Sequence, residues 1–456
     1  MASPIDPTIF RSYDIRGIVD RDLTEDAVER VGRAYGSLAR ERGFARITVG
    51  RDCRESSPRL FTALTRGLNA AGLDVLDVGC VATPMLYFSI PHFGVDGGIQ
   101  ITGSHNPPEY NGLKISLGGA SLHGADIQAI GRRAIDGPFL SGAGTTTAVD
   151  VIAPYHAALV ANAQLGPRRR KVVVDAGNGT SGPFAPPIYR ALGFEVVELF
   201  CDMDPTFPNH HPDPTVEENL EHLRARVLAE GADLGIAFDG DGDRIGVVDE
   251  KGGILWGDQL MVLFSRAVLA ESPGAVIVGE VKCSKLLYDD IRQHGGQAIM
   301  WKTGHSLIKA KMKEVHAALA GEMSGHIFFQ HRWHGFDDAT YAGLRLLELL
   351  SKTEAPLSSL LADLPRTYTT PELRRDCPEA LKFKLVDAAI AHFKAKGHEV
   401  IDVDGARVEL GDGWGLVRAS NTQPILVLRF EAETEARLHE IQAYVEGELE
   451  ALRAAL

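Results

Sequence analysis

The chain has 456 residues, 45% of them hydrophobic, which is too long for one compact core and predicts about three or four soluble, globular domains. A formal charge of −14 argues against nucleic acid or an anionic membrane as partner, so a small anionic substrate requires a locally basic pocket. Five scattered cysteines (Cys53, Cys80, Cys201, Cys283, Cys377) form no C-x-x-C pair, residues 1–10 resemble no export signal, and the apolar run 260–269 is broken by Ser265 and Arg266; a cytoplasmic protein without zinc or disulfides is expected.

In chain order one unit occurs three times: a strand, a helix, a second strand, then a third strand entering a polar loop. The first copy predicts a strand at 46–50, a helix at 56–71, and strands at 73–78 and 98–102, the last entering Gly103, Ser104, His105, Asn106 and Pro107. The second predicts 171–174, a helix at 183–192, 195–199 and 233–238, entering Asp239-Gly-Asp-Gly-Asp-Arg244. The third predicts 275–278, a helix at 284–294, 297–301 and 316–320, entering Gly321-Glu-Met-Ser-Gly-His326. Ligands gather at the carboxyl ends of strands in α/β sheets, so three such loops predict one composite site. The remainder reads as an α+β domain: a helix at 378–396, strands at 399–402, 405–410, 414–419 and 425–430, and a long helix from 434. The predicted domains are 1–150, 151–253, 254–365 and 366–456, with 141–147 (SGAGTTT) as a linker.

Four loops carry chemistry. Ser104 sits in a turn stiffened by Pro107 and Pro108, where a serine serves as nucleophile or phosphate carrier; a plain turn is the alternative, and a Ser-His-Asp hydrolase fits poorly because triads are assembled from distant segments. Asp239, Asp241 and Asp243, separated by glycines, offer hard oxygen ligands for Mg²⁺ or Ca²⁺ rather than zinc. An EF-hand is excluded by Arg244 at its sixth loop position and by strands on both flanks. Arg244 neutralises the aspartates or grips a transferring phosphoryl group. Glu322 and Ser324 suit paired sugar hydroxyls, and Arg418, Ser420, Asn421 and Thr422 suit a phosphate dianion, though either loop alone also reads as a strand-end turn. Gly177, Gly179 and Gly182 match a dinucleotide-binding G-x-G-x-x-G, but Pro183, Pro186 and Pro187 crowd the helix start where a pyrophosphate needs N–H donors.

Taken together, the loops around Ser104, Asp239–Arg244, Glu322–His326 and Arg418–Thr422 resemble, in this order, the four signature loops of the α-D-phosphohexomutase superfamily. Tyr13-Asp-Ile-Arg-Gly17, Met323, Phe328, Phe329, Trp333 and Gly335-Phe-Asp-Asp338 are most similar to its bacterial phosphomannomutase/phosphoglucomutase branch. The resemblance implies three similar α/β domains and a fourth of TATA-binding-protein-like topology around a central cleft. It implies phosphoryl transfer between the 1- and 6-positions of a mannose or glucose phosphate, through a phosphoserine at Ser104 and a hexose 1,6-bisphosphate. One Mg²⁺ is implied on Asp239, Asp241, Asp243 and Ser104. Arg16, Lys114, Arg244 and His105 are implied at the transferring group, Lys282, His305 and His326 beside the substrate, Glu322 and Ser324 on the sugar, and Tyr13, Arg418, Ser420, Asn421 and Thr422 on the far phosphate. A monomer or weak dimer is expected. The alternatives are a phosphoglucosamine mutase, which Met323 and Gly103 disfavour, a metal-dependent sugar phosphatase, and a non-catalytic sugar-phosphate binder.

Overall fold

The computed structural model describes residues 4–420 and 424–456, which form four sheets. In the first, Arg46–Arg51 lies between parallel Asp74–Cys80 and Gly97–Ile101, and Gly97–Ile101 turns back into antiparallel Tyr110–Leu117. The second repeats this order with Glu195–Leu199, Lys171–Asp175, Leu234–Phe238 and antiparallel Ile245–Asp249. The third repeats it with Gln297–Trp301, Val276–Glu280, Leu319–Gly321 and antiparallel Ile327–Phe329. The threefold unit is therefore present. The fourth strand of each unit makes the three functional loops hairpin connections at the carboxyl end of a buried strand.

Two features differ from the sequence reading. The last strand of the third unit is Leu319–Gly321, because the helix His305–Val315 runs on to a left-handed cap at His316 (φ 52°), and Ala317 N–H returns to Met312 O. The predicted linker 141–147 is exposed along most of its length, and its last two residues enter the edge strand Thr146–Ala148, parallel to Asp74–Cys80; a side chain at Gly144 would collide with the Leu73 main chain. Gly142 and Gly144 lie close against the main chain of residues 71–73. The helix Thr83–Phe93 was not foreseen, since Pro84 and Pro91 mask it. Pro84 stands in the first turn, where no helical N–H is lost.

That helix joins the first unit to the next two. Met85, Leu86, Tyr87 and Phe88 share a core with Val172, Val174, Leu260, Phe264 and Trp333. The fourth sheet is antiparallel across Ile425–Ala432, Gly413–Ala419, Ala406–Glu409 and Glu399–Ile401. Its Val417, Leu428 and Phe430 pack under the helices Glu379–Ala395 and Glu435–Ala455. With side chains alternating along a strand, Trp414, Leu416 and Arg418 share the opposite face. Trp414 and Leu416 press on Val281 of the third unit there, which directs Arg418 toward the same neighbour. Among the described residues, no helix is long and apolar enough to cross a membrane.

One buried ion-pair cluster gives a pH prediction. Glu348, on the helix Ala339–Ser351, accepts from Arg332 Nη1 and Nη2 (2.9 and 2.8 Å), Lys352 Nζ (2.9 Å) and Gln164 N–H (3.0 Å). Burial opposes its charge, but these donors outweigh burial and hold the carboxyl down at about 2, from an ordinary 4.5. A depressed carboxyl stabilises the fold fully above its unfolded pKa and loses that contribution as pH falls through the folded one. Wild type is therefore expected to melt above Glu348→Gln at pH 7, with the gap closing between about pH 4.5 and 2. A gap independent of pH in paired melting curves would refute this.

Candidate active site

The strand Leu234–Phe238 is buried along its length and ends at Asp239. Asp239 Oδ1 accepts the N–H groups of Gly242, Asp243 and Arg244 at 3.0, 3.0 and 3.1 Å, so the loop winds around its own first carboxylate. The glycines between the aspartates have separate tasks. A side chain at Gly240 would strike the Ser104 carbonyl, whereas Gly242 has φ +76° and lies against Ser181. The Gly177–Gly182 region supports this loop, with Thr180 N and Oγ1 donating to Gly240 O at 3.0 and 3.1 Å.

Ser104 is itself left-handed (φ 50°), a conformation that costs a non-glycine residue roughly 1–2 kcal/mol. Its N–H donates to Thr102 Oγ1 (2.8 Å), and its Oγ lies 3.2 Å from Asp239 Oδ2 and 3.1 Å from His105 Nδ1. Burial, followed by the charge of Arg244, pushes the His105 imidazole well below the ordinary histidine range, so it is neutral beside the serine.

Asp239, Asp241 and Asp243 are fully buried, each placing one carboxylate oxygen within 4.8 Å of the others. Lys114 Nζ, on Tyr110–Leu117, donates to Asp241 Oδ2 (2.6 Å) and to Asp243 Oδ2, and Thr83 Oγ1 donates to Asp241 Oδ2 at 2.5 Å. Burial lowers the lysine, yet Asp241, Asp243 and Asp239 outweigh it and hold the ammonium above its usual range. Burial and the two neighbouring carboxylates push Asp239 up. Asp241 Oδ1 and Asp243 Oδ1 receive no hydrogen bond among the described residues. Three buried carboxylates, two of them with an orphaned oxygen and no thiolate among them, fit a hard divalent cation.

The third loop abuts the second. Arg244 and His326 form an antiparallel bridge, Ile245 N–H donates to Gly325 O (3.0 Å), and Arg244 Nε donates to His326 Nε2 (2.9 Å). That bond assigns the imidazole proton to Nδ1, which lies 3.2 Å from Asp337 Oδ2 and 3.5 Å from Asp243 Oδ1. His305 stacks on His326 (5.9 Å), meets Tyr13 edge-on (5.5 Å) and sits 3.8 Å from Asp337 Oδ2. Burial and Lys309 keep the His305 ring well below the ordinary histidine range. Glu322 accepts Gly304 N–H at 2.6 Å and is pushed up by burial, while Ser324 is half-buried. Lys282 lies between Glu372 (3.1 Å) and Glu280 (3.5 Å), and those carboxylates outweigh burial to hold its ammonium above the usual range.

At the far end Arg418 donates to Asp404 Oδ2 at 3.1 Å, and Asp404 also accepts Thr303 N–H at 3.1 Å. Ser420 is buried and bonds Ile425 O through its N–H (3.0 Å). Asn421 and Thr422 lie outside the described residues. Arg16 pairs with Asp14 (2.7 Å), and the charges of Arg16, Glu322 and Arg418 all act on the neighbouring Tyr13 hydroxyl. Contacts thus run from Ser104 through Asp239, Arg244, His326 and His305 to Tyr13, with Thr303 and Asp404 leading to Arg418.

Sequence reasoning left out several members of this wall. Asp337 is fully buried between Lys309 Nζ (2.9 Å), His326 and His305, and it lies in the Gly335–Asp338 stretch that carried part of the resemblance. Thr83, Glu280 and Asp404 act through distant partners and carry no local motif.

Models described as phosphoglucomutase/phosphomannomutase alpha/beta/alpha domains I, II and III and C-terminal domain match residues 7–139, 153–253, 256–368 and 372–448. The chain is 49% identical to a phosphoglucomutase of Neisseria meningitidis, covering 95% of each, and 46% identical to a phosphomannomutase/phosphoglucomutase of Pseudomonas aeruginosa, covering 100% of this chain and 98% of that one. A crystal structure of a phosphoglucomutase/phosphomannomutase family protein from Burkholderia thailandensis superposes with a TM-score of 0.93 at 48% identity, over 98% of both chains. With four domain models matched in order around one continuous polar wall, the chain belongs to the phosphoglucomutase/phosphomannomutase family.

Proposed function

We propose that this protein is a phosphohexomutase, moving phosphate reversibly between the 1- and 6-positions of a mannose or glucose phosphate through a phosphoserine at Ser104 and a hexose 1,6-bisphosphate. The observation that carries the reading is the Ser104 hydroxyl, 3.2 Å from the first of three mutually close buried carboxylates. A hydrolytic serine has no use for that company, whereas a phosphate carrier does.

In the forward reaction the P–O bond to Ser104 breaks as a new one forms to the free hydroxyl of a hexose 1-phosphate, and the hydroxyl proton leaves to a base. The bisphosphate then presents its other phosphate, which returns to Ser104. Asp239, Asp241 and Asp243 would hold Mg²⁺, which supplies positive charge to the phosphoryl oxygens when bound. Lys114, Arg16 and Arg244 supply further positive charge there, and His105 stands beside the serine oxygen. Glu322 and Ser324 orient the ring hydroxyls, with Lys282, His305 and His326 beside them. Arg418, Ser420, Asn421, Thr422 and Tyr13 clamp the phosphate that is not reacting. One fixed acceptor can then meet either end of the sugar.

The purified protein with Mg²⁺ and a catalytic amount of glucose 1,6-bisphosphate is expected to convert glucose 1-phosphate to glucose 6-phosphate without releasing inorganic phosphate. Stoichiometric phosphate release would instead identify a sugar phosphatase. Turnover of glucosamine 1-phosphate in preference to both glucose and mannose 1-phosphates would move the assignment to the aminosugar.

A further inference from the structure

All five N–H groups of the buried Arg54 guanidinium are engaged, four of them on the main chain of the Ser104 loop. Nη2 donates to the carbonyls of Ser104 (2.8 Å) and Asn106 (2.6 Å), Nη1 to those of Pro107 (2.6 Å) and Tyr110 (3.1 Å), and Nε to Asp52 Oδ2 (3.2 Å). Asp52 also accepts the Gly103 N–H at 3.0 Å and the Ser57 hydroxyl at 2.6 Å. Side-chain exposures of 1% for Arg54 and 2% for Asp52 place the pair out of water.

A buried ion pair by itself contributes little net stability compared with apolar packing of the same volume. This pair has a narrower task. The loop contains a serine held left-handed, and both of that residue's main-chain polar groups are pinned, the N–H by Thr102 and the carbonyl by Arg54. Only the Oγ is left to face Asp239. The planar fork of an arginine reaches four carbonyls and a carboxylate at once, whereas a lysine has three donors on one atom.

We infer that Arg54, anchored by Asp52, is a positioning residue for phosphoryl transfer: it fixes the main chain from Ser104 to Tyr110 so that the Ser104 oxygen is held against Asp239. This rests on the reading of Ser104 as the phosphate carrier. The groups assigned to the sugar and the far phosphate lie on other segments, so loss of Arg54 impairs transfer and leaves substrate binding intact.

The test compares wild type, Arg54→Lys and Asp52→Asn for kcat and KM with glucose 1-phosphate, with folding checked by circular dichroism. Because a misplacement of about 1 Å costs on the order of 100-fold in rate, folded Arg54→Lys is expected to lose about 100-fold in kcat with KM within about threefold of wild type. Asp52→Asn keeps the shape of the anchor without its charge and is expected to lose about tenfold in kcat, and it decides the question if Arg54→Lys does not fold. Folded variants with wild-type kcat, or with KM raised and kcat unchanged, overturn the assignment of Arg54 alone. An inactive wild type overturns the reading of Ser104, and this inference with it.

Discussion

Ser104→Ala is expected to reduce turnover by roughly 10⁴-fold or more, the scale on which loss of a covalent nucleophile is felt. The variant removes one atom and leaves the loop its supports. Alanine occupies the left-handed conformation at about the cost serine does, the residue's N–H still reaches Thr102 Oγ1, and its carbonyl still receives Arg54. Only the Oγ contacts to Asp239 and His105 disappear. The melting temperature is therefore expected to fall by no more than several degrees, since removing one buried hydroxyl from its carboxylate partner costs about 1–3 kcal/mol. Intact-mass measurement after incubation with glucose 1,6-bisphosphate should show a phosphoryl group on wild type and none on the variant. Turnover within tenfold of wild type would remove Ser104 from the mechanism.

What could be read from the sequence follows the distance over which each feature is built. Asp239, Asp241 and Asp243 belong to one hairpin, so their spacing alone displays the chemistry. Ser104 was ambiguous by itself and gained meaning only from the other loops, because its geometry depends on a carboxylate 135 residues away. Lys114 entered only through family resemblance: nothing in the local sequence says that Tyr110–Leu117 lies antiparallel to Gly97–Ile101 and carries a lysine to the loop of Asp239, Asp241 and Asp243. Arg54 was invisible for a related reason. Four of its partners are main-chain carbonyls, which every sequence contains. The fold shows the same gradient. Strands Glu195–Leu199 and Gln297–Trp301 were read to the residue from their apolar pattern. The helix Thr83–Phe93 was lost because Pro84 and Pro91 mask it and because its burial against two other units leaves it without a polar face to set a period.

Asp239→Asn should separate the function of the carboxylate cluster from its cost. Burial and the charges of Asp241 and Asp243 push the Asp239 carboxyl up, so keeping it ionised in the folded protein without a cation is unfavourable. The amide's oxygen can still accept from Gly242, Asp243 and Arg244, which preserves the loop while removing one of three repelling charges. In chelator the variant is therefore expected to melt at or above the wild-type temperature. Millimolar Mg²⁺ should raise the wild-type melting temperature, since a ligand at a hundredfold its Kd stabilises the folded state by about 2.7 kcal/mol, and should raise that of the variant much less. Activity should move in the opposite sense. Loss of one charged ligand facing the transferring group is expected to cost about 10³-fold in kcat, on the scale of removing one electrostatic stabiliser of a transition state. Chelation of wild type should reduce turnover at least as far, with recovery on addition of Mg²⁺. If Mg²⁺ changes neither the melting temperature nor the turnover of the chelator-treated protein, these aspartates do not form a metal site. If Asp239→Asn melts well below wild type in chelator, the three charges are better accommodated by Lys114 and Arg244 than their mutual repulsion implies.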